Sequence, residues 1–179
     1  MSFRFSFIFK AVSIALLCGF LAACQTTGLK PGSISSSFAP KGWASKQNGN
    51  KAVYVCLPST CKSPEVVVVG PIEVKGDTET AIRQNLISAE LMNAVGNIAN
   101  VASKGQVRLK TNRRVVTKSY SGFDMTARYR TDKGNVYVAA RIIIQNDRGS
   151  TVASFATSSS RAKTNLDRFL KQTTIKRLP

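Results

Sequence analysis

The sequence predicts an α+β fold: an antiparallel sheet of about five to six strands, covered by a long middle helix and a C-terminal helix. Three patterns lead there. Apolar and polar residues alternate through most of residues 107–158, broken by tight-turn signals. Apolar residues recur at three- and four-residue steps over residues 78–102, and again over residues 160–170.

Taken in order, residues 51–57, with Val53, Tyr54 and Val55, read as a β-strand. Residues 65–69 hold four consecutive valines and read as a second strand or the edge of the first hairpin. Asp77 is placed to cap the middle helix, and Glu79 puts negative charge in its first turn, where the helix dipole favours it. Ile82, Leu86, Ala89, Met92, Val95 and Ala99 make one apolar face, expected to be core. Arg83, Glu90, Asn93, Asn97 and Asn100 lie largely off that face. Gly96 is the weak point at which this helix would divide. Val107 and Leu109 then alternate with Arg108 and Lys110. Phe123, Met125, Ala127 and Tyr129 alternate with Asp124, Thr126, Arg128 and Arg130, giving a strand with a buried side and a cationic side. Turn residues at 132–135 and 146–149 link it to a nearly continuous apolar strand, 136–145, and to a further strand at 151–158. Ser160 is expected to cap the closing helix, whose Ala162, Leu166, Phe169 and Leu170 share a face.

The start of the chain has a different character. Arg4 and Lys10 bracket a Phe-rich stretch, no acid occurs before Glu65, and residues 11–23 are nearly all apolar. A positive start, a short apolar core and small residues at its end make a secretory signal; a membrane span needs about 20 apolar residues. The stretch ends Leu21-Ala22-Ala23-Cys24, which resembles the bacterial lipobox. That resemblance implies a signal peptide over residues 1–23, cut before Cys24, with acyl chains on the Cys24 sulfur and amino terminus. Residue 25 is Gln and not Asp, which by resemblance to enterobacterial lipoproteins directs the protein to the outer membrane. Residues 24–39, rich in Ser, Thr and Gly, are expected to be a flexible tether, and residues 40–179 a single domain.

With Cys18 removed and Cys24 lipidated, Cys56 and Cys61 remain as a pair in Cys-Leu-Pro-Ser-Thr-Cys. In an oxidising compartment they are expected to form a disulfide, helped by the turn preference of Pro58. Four intervening residues do not match the redox-active Cys-x-x-Cys spacing.

The order of elements resembles the PsbP-like fold. The likeness rests on Phe38-Ala39-Pro40-Lys41-Gly42-Trp43, the strands of residues 123–158 and the closing helix, and covers residues 38–177. That family is largely one of adaptors and assembly factors, so the resemblance implies a binding protein rather than an enzyme. The Cys56–Cys61 ring departs from the plant members.

Composition narrows function in the same direction. The chain has no His, which removes the usual general base, the commonest metal ligand and any Ser-His-Asp arrangement. No phosphate-binding loop or metal-ligand spacing occurs, so no catalytic residue, metal or cofactor is expected. Its net charge is +17, and loss of Arg4 and Lys10 with the signal leaves +15. Residues 104–179 hold 17 basic and 4 acidic residues. Arg108, Lys110, Arg113, Arg114, Arg128 and Arg130 are the candidate contacts for an anionic partner. In the cell envelope that partner would be lipopolysaccharide, anionic phospholipid or an acidic protein, and no interleaved aromatic motif points to nucleic acid. The expected function is a lipid-anchored, non-enzymatic binding or adaptor domain. Its rivals are a periplasm-facing hydrolase without His and a purely structural outer-membrane lipoprotein.

Overall fold

A computed structural model describes residues 28–179. The lipobox and Cys24 lie outside the described residues. The main sheet is antiparallel throughout, with strand order β2-β3-β4-β8-β7-β6-β5. Its strands are β2 (Trp43–Asn48), β3 (Lys51–Cys56), β4 (Val66–Ile72), β5 (Val107–Val116), β6 (Ser121–Thr131), β7 (Gly134–Gln145) and β8 (Arg148–Ala156). A separate two-stranded sheet pairs β1 (Ile34–Ser36) with β9 (Thr173–Ile175). The α+β class stands, but nine strands among the described residues replace the five to six expected.

The long middle helix is also corrected. It is two helices, α1 (Thr78–Arg83) and α2 (Ala89–Ala102), and the break lies before Ser88 rather than at Gly96. Asn85 takes a left-handed backbone (φ 64°), which ends α1. Ser88 then caps α2, its hydroxyl accepting from Leu91 N–H at 3.2 Å. Asp77 caps α1 as expected, accepting from Thr80 N–H at 3.3 Å. The closing helix, α3 (Ser159–Lys171), is capped by Ser158 and not Ser160; the Ser158 side chain accepts from Arg161 N–H.

Side-chain alternation gives the sheet two covered faces. On one, Ala139, Ile143, Val152 and Ala156 meet Ala162, Leu166 and Phe169 of α3. Phe38, Tyr54 and Phe169 form an aromatic cluster there, with ring centroids 5.1–5.5 Å apart and Trp43 5.2 Å from Phe38. On the other, Phe123, Met125, Ile142 and Ile144 pack with Ile82 of α1 and Leu109. Residues 28–39, within the segment read as a tether, are docked on the first face. Leu29, Ser33 and Phe38 are buried and β1 pairs with the chain's end. Sparse apolar content hid this because only Leu29, Ile34 and Phe38 carry the contacts.

Cys56 and Cys61 are joined, closing a loop at the end of β3. Leu57 N–H donates to Gly42 O at 2.8 Å, which seats that loop on Gly42. Gly42 has φ +81°, and a Cβ there would lie 2.0 Å from the Thr60 hydroxyl oxygen, so glycine alone fits.

Candidate functional site

Register decides what the basic residues of β5 and β6 do. Arg108 stands opposite Arg128, and Lys110 opposite Thr126. Paired residues share a face, so Arg108, Lys110 and Arg128 lie together, with Arg130 two residues further along β6. A β-bulge between Thr111 and Arg113 shifts the phase. Arg113 therefore stands opposite Asp124, on the same cationic face, while Arg114 opposes Phe123 on the other.

The six candidates then divide by their partners. Arg113 Nε donates to Asp124 Oδ2 at 2.6 Å. The buried side of the same carboxylate takes Arg141, whose Nε and Nη2 donate at 2.6 and 2.8 Å. Burial alone would raise the Asp124 pKa; bonds from Arg141 and then Arg113 outweigh it and hold the carboxyl below its ordinary value. Arg114 is committed elsewhere: Nη1 donates to Ile82 O and Arg83 O at 2.6 and 3.1 Å. It ties off the carbonyl end of α1. Arg108, Lys110 and Arg130 are exposed, with no side-chain hydrogen bond or ion pair to the described residues. Arg128 is half-buried, and its Nε and Nη2 lack hydrogen-bond partners. Both atoms are shielded from solvent, so they are a cost to the fold and not open donors, and the cations of this face that an anion can reach are Arg108, Lys110 and Arg130. Arg141, which fixes Asp124, carried no distinguishing sequence signal; its role comes from standing opposite that residue in β7.

Elsewhere the polar groups serve the fold. Glu79, buried at the start of α1, accepts from Arg83, Arg177 and Asn146 N–H. Burial opposes its charge, but these bonds lower its pKa overall. Glu65 holds Arg161 and Asn165 of α3. A recess of about 280 Å³ opens between residues 29–36 and the β2–β3 hairpin, lined by Tyr54, Val69, Ser150 and Phe169 among others. The Ser150 hydroxyl there donates to Gly70 O at 2.8 Å. Among the described residues no cluster of Cys, Asp and Glu is grouped to hold a metal ion.

No family model matches the chain, and no curated protein matches it. Among solved structures, it is similar to the solution structure of cyanobacterial PsbP (CyanoP) from Synechocystis. The identity is 14%, with 87% of this chain and 98% of that one covered, at a TM-score of 0.47. It is also similar to a crystal structure from Bacteroides thetaiotaomicron, at 8% identity and a TM-score of 0.44. There the match covers 83% of this chain and 47% of the other. Neither likeness carries an argument about activity or partners.

Proposed function

We propose that this chain is an envelope lipoprotein anchored through Cys24, whose domain is a basic, non-enzymatic binding or adaptor module for an anionic envelope component. The supporting observation is the register that aligns Arg108 with Arg128 beside Lys110 and Arg130. The acid on that face, Asp124, is already shared by Arg113 and Arg141. The remaining cations therefore keep an unneutralised field, which attracts anions and is screened over about 8 Å at physiological salt. The sequence resemblance to PsbP-like proteins points to the same class of function.

The test uses residues 25–179, which contain every described element, on vesicles with and without anionic lipid or lipopolysaccharide. Binding is expected to require the anionic component and to fall steeply as salt rises. Reversing Arg108, Lys110 and Arg130 to Glu abolishes it while circular dichroism is unchanged. Binding that survives the reversals, or ignores salt, sinks the proposal. Mass spectrometry of protein from its native envelope should find an acylated Cys24 as the first residue.

A further inference from the structure

Helix α2 presents its apolar residues to solvent. Leu91, Val95, Ile98 and Val101 are 49, 49, 68 and 78% exposed, and Ala94 and Ala102 are exposed among them. At 3.6 residues per turn these six positions span an arc of about 120°, as wide as the core-facing stripe of an ordinary surface helix. The opposite side of α2 is the one that docks. Asn93 Nδ2 donates to Thr111 O at 3.1 Å, and its Oδ1 accepts from Thr111 N–H at 2.7 Å. Gly96 is buried, and a Cβ there would lie 2.8 Å from Leu109 O. The helix thus runs along the free edge of β5, the strand that carries Arg108 and Lys110, with Met92 turned to the core and Leu91, Val95, Ile98 and Val101 turned away.

We infer that this face of α2 is a membrane-docking surface, which enters the headgroup region of an anionic bilayer while the neighbouring cations hold the lipid phosphates. The inference rests on the anion-binding reading above and names its target as phospholipid. Charge selects the occupant. Of the seven basic residues from Arg83 to Lys118, Arg83 and Arg113 are paired with Glu79 and Asp124 and Arg114 is bonded to the α1 carbonyls, which leaves Lys104, Arg108, Lys110 and Lys118 against one acid, Glu90. A second copy docked here would set two such clusters against each other. A protein partner is disfavoured by side-chain type, because α2 offers no Trp, Tyr or Arg, the residues that dominate protein hot spots. An interfacial helix sets an apolar face into the headgroup–acyl boundary with cations beside it; α2 carries no Lys or Arg of its own, and the cations come from Lys104 after its end and from Arg108 and Lys110 on the strand it covers. The helix is 14 residues long, about 21 Å, and no helix among the described residues is long and apolar enough to cross a membrane. It would lie in the surface.

The experiment places a reporter on the stripe. Full-length Ile98→Trp is reconstituted into vesicles of phosphatidylcholine, alone or with phosphatidylglycerol, whose acyl chains carry bromine as a quencher. The added indole is expected to be quenched several-fold more strongly than native Trp43, and chiefly with phosphatidylglycerol present. Adding Leu91→Gln, Val95→Gln and Val101→Gln should remove that quenching and leave the circular dichroism unchanged. An unquenched indole overturns the inference, as does quenching indifferent to the three Gln substitutions. Shielding that grows with protein concentration and not with lipid identifies a second copy and overturns it too. If the indole stays unquenched while salt-sensitive binding through Arg108 and Lys110 persists, docking by α2 fails and the anion-binding reading stands. Equal quenching in neutral vesicles, unaffected by Arg108→Glu and Lys110→Glu, overturns the inference, because its target is an anionic bilayer held through those cations.

Discussion

Helices α2 and α3 are nearly the same length, 14 and 13 residues, and use opposite rules. In α3 the apolar stripe is inside: Ala162, Leu166 and Phe169 are buried, while Arg161, Lys163, Asp167, Arg168 and Lys171 face water. In α2 the docked side carries Asn93, Gly96 and one long apolar residue, Met92, which packs on the Ile82, Phe123, Met125 and Ile144 cluster, while Leu91, Val95, Ile98 and Val101 are out. The difference lies in what each helix covers. Helix α3 packs on a sheet face, where side chains from β7 and β8 offer an apolar surface. Helix α2 covers a sheet edge, which presents backbone N–H and C=O groups that require partners. Asn93 supplies both a donor and an acceptor to Thr111, and Gly96 lets the two backbones approach. A docked face built on an edge strand is therefore largely polar and small, and most of the aliphatic residues of the helix face solvent.

The largest expected effect is on the α3 side. Phe169 is wholly buried and touches both Phe38 and Tyr54. Phe169→Ala should cost about 3–5 kcal/mol, read as a lowered urea midpoint, because it removes a large ring from a closed aromatic cluster. A cost near zero would mean that α3 does not form the main core contact, and the contrast between the helices would collapse.

Gly96→Ala sharpens the comparison from the other side, through its sign. In an exposed helix, Gly to Ala gains about 1 kcal/mol. Here the new methyl group meets the Leu109 carbonyl, so a net loss of about 1–2 kcal/mol is expected, in the range of overpacking. Hydrogen exchange at Thr111, whose N–H is held by Asn93, should accelerate with it. A stabilised Gly96→Ala variant would show that α2 docks by some other face.

The same contrast explains what was legible in the sequence. Strands β6, β7 and β8 followed from alternation, from the nearly continuous apolar run of β7 and from turn residues, because each pairs with its chain neighbour and β7 has both faces covered. The Cys56–Cys61 bond followed from expecting Cys18 and Cys24 to be taken up by a signal and a lipid, which left these two cysteines as a pair. Periodicity is partly right about the middle segment: Ile82 is buried and Met92 packs on the core, but Leu86 and Val95 of the same stripe are exposed, because periodicity carries no knowledge of the edge strand beside α2. Val95 is half-exposed, and Asn93, set off the core face, is the docking residue. The β1–β9 pair escaped notice because its strands are three residues each and lie at opposite ends of the described chain. In the candidate site, alternation placed Arg128 and Arg130 together, whereas which of Arg113 and Arg114 joins Arg108 and Lys110 on that face depended on a bulge with no sequence mark.

The smallest expected effect is the most discriminating. Ile98 is 68% exposed, so replacing it with Gln removes little buried apolar surface, and Gln has the better helix propensity. Ile98→Gln should change the stability of the lipid-free domain by no more than about 0.5 kcal/mol, as for an ordinary surface position. Were the stripe covered in solution by a second copy, the substitution would open a polar defect in an apolar interface. The midpoint would then fall clearly and depend on protein concentration. Unfolding curves of wild type and Ile98→Gln that superimpose over a wide concentration range would show that the domain does not need this face in order to fold. The aliphatic residues of α2 would then stand apart from those of α3, as a surface whose use lies outside the chain.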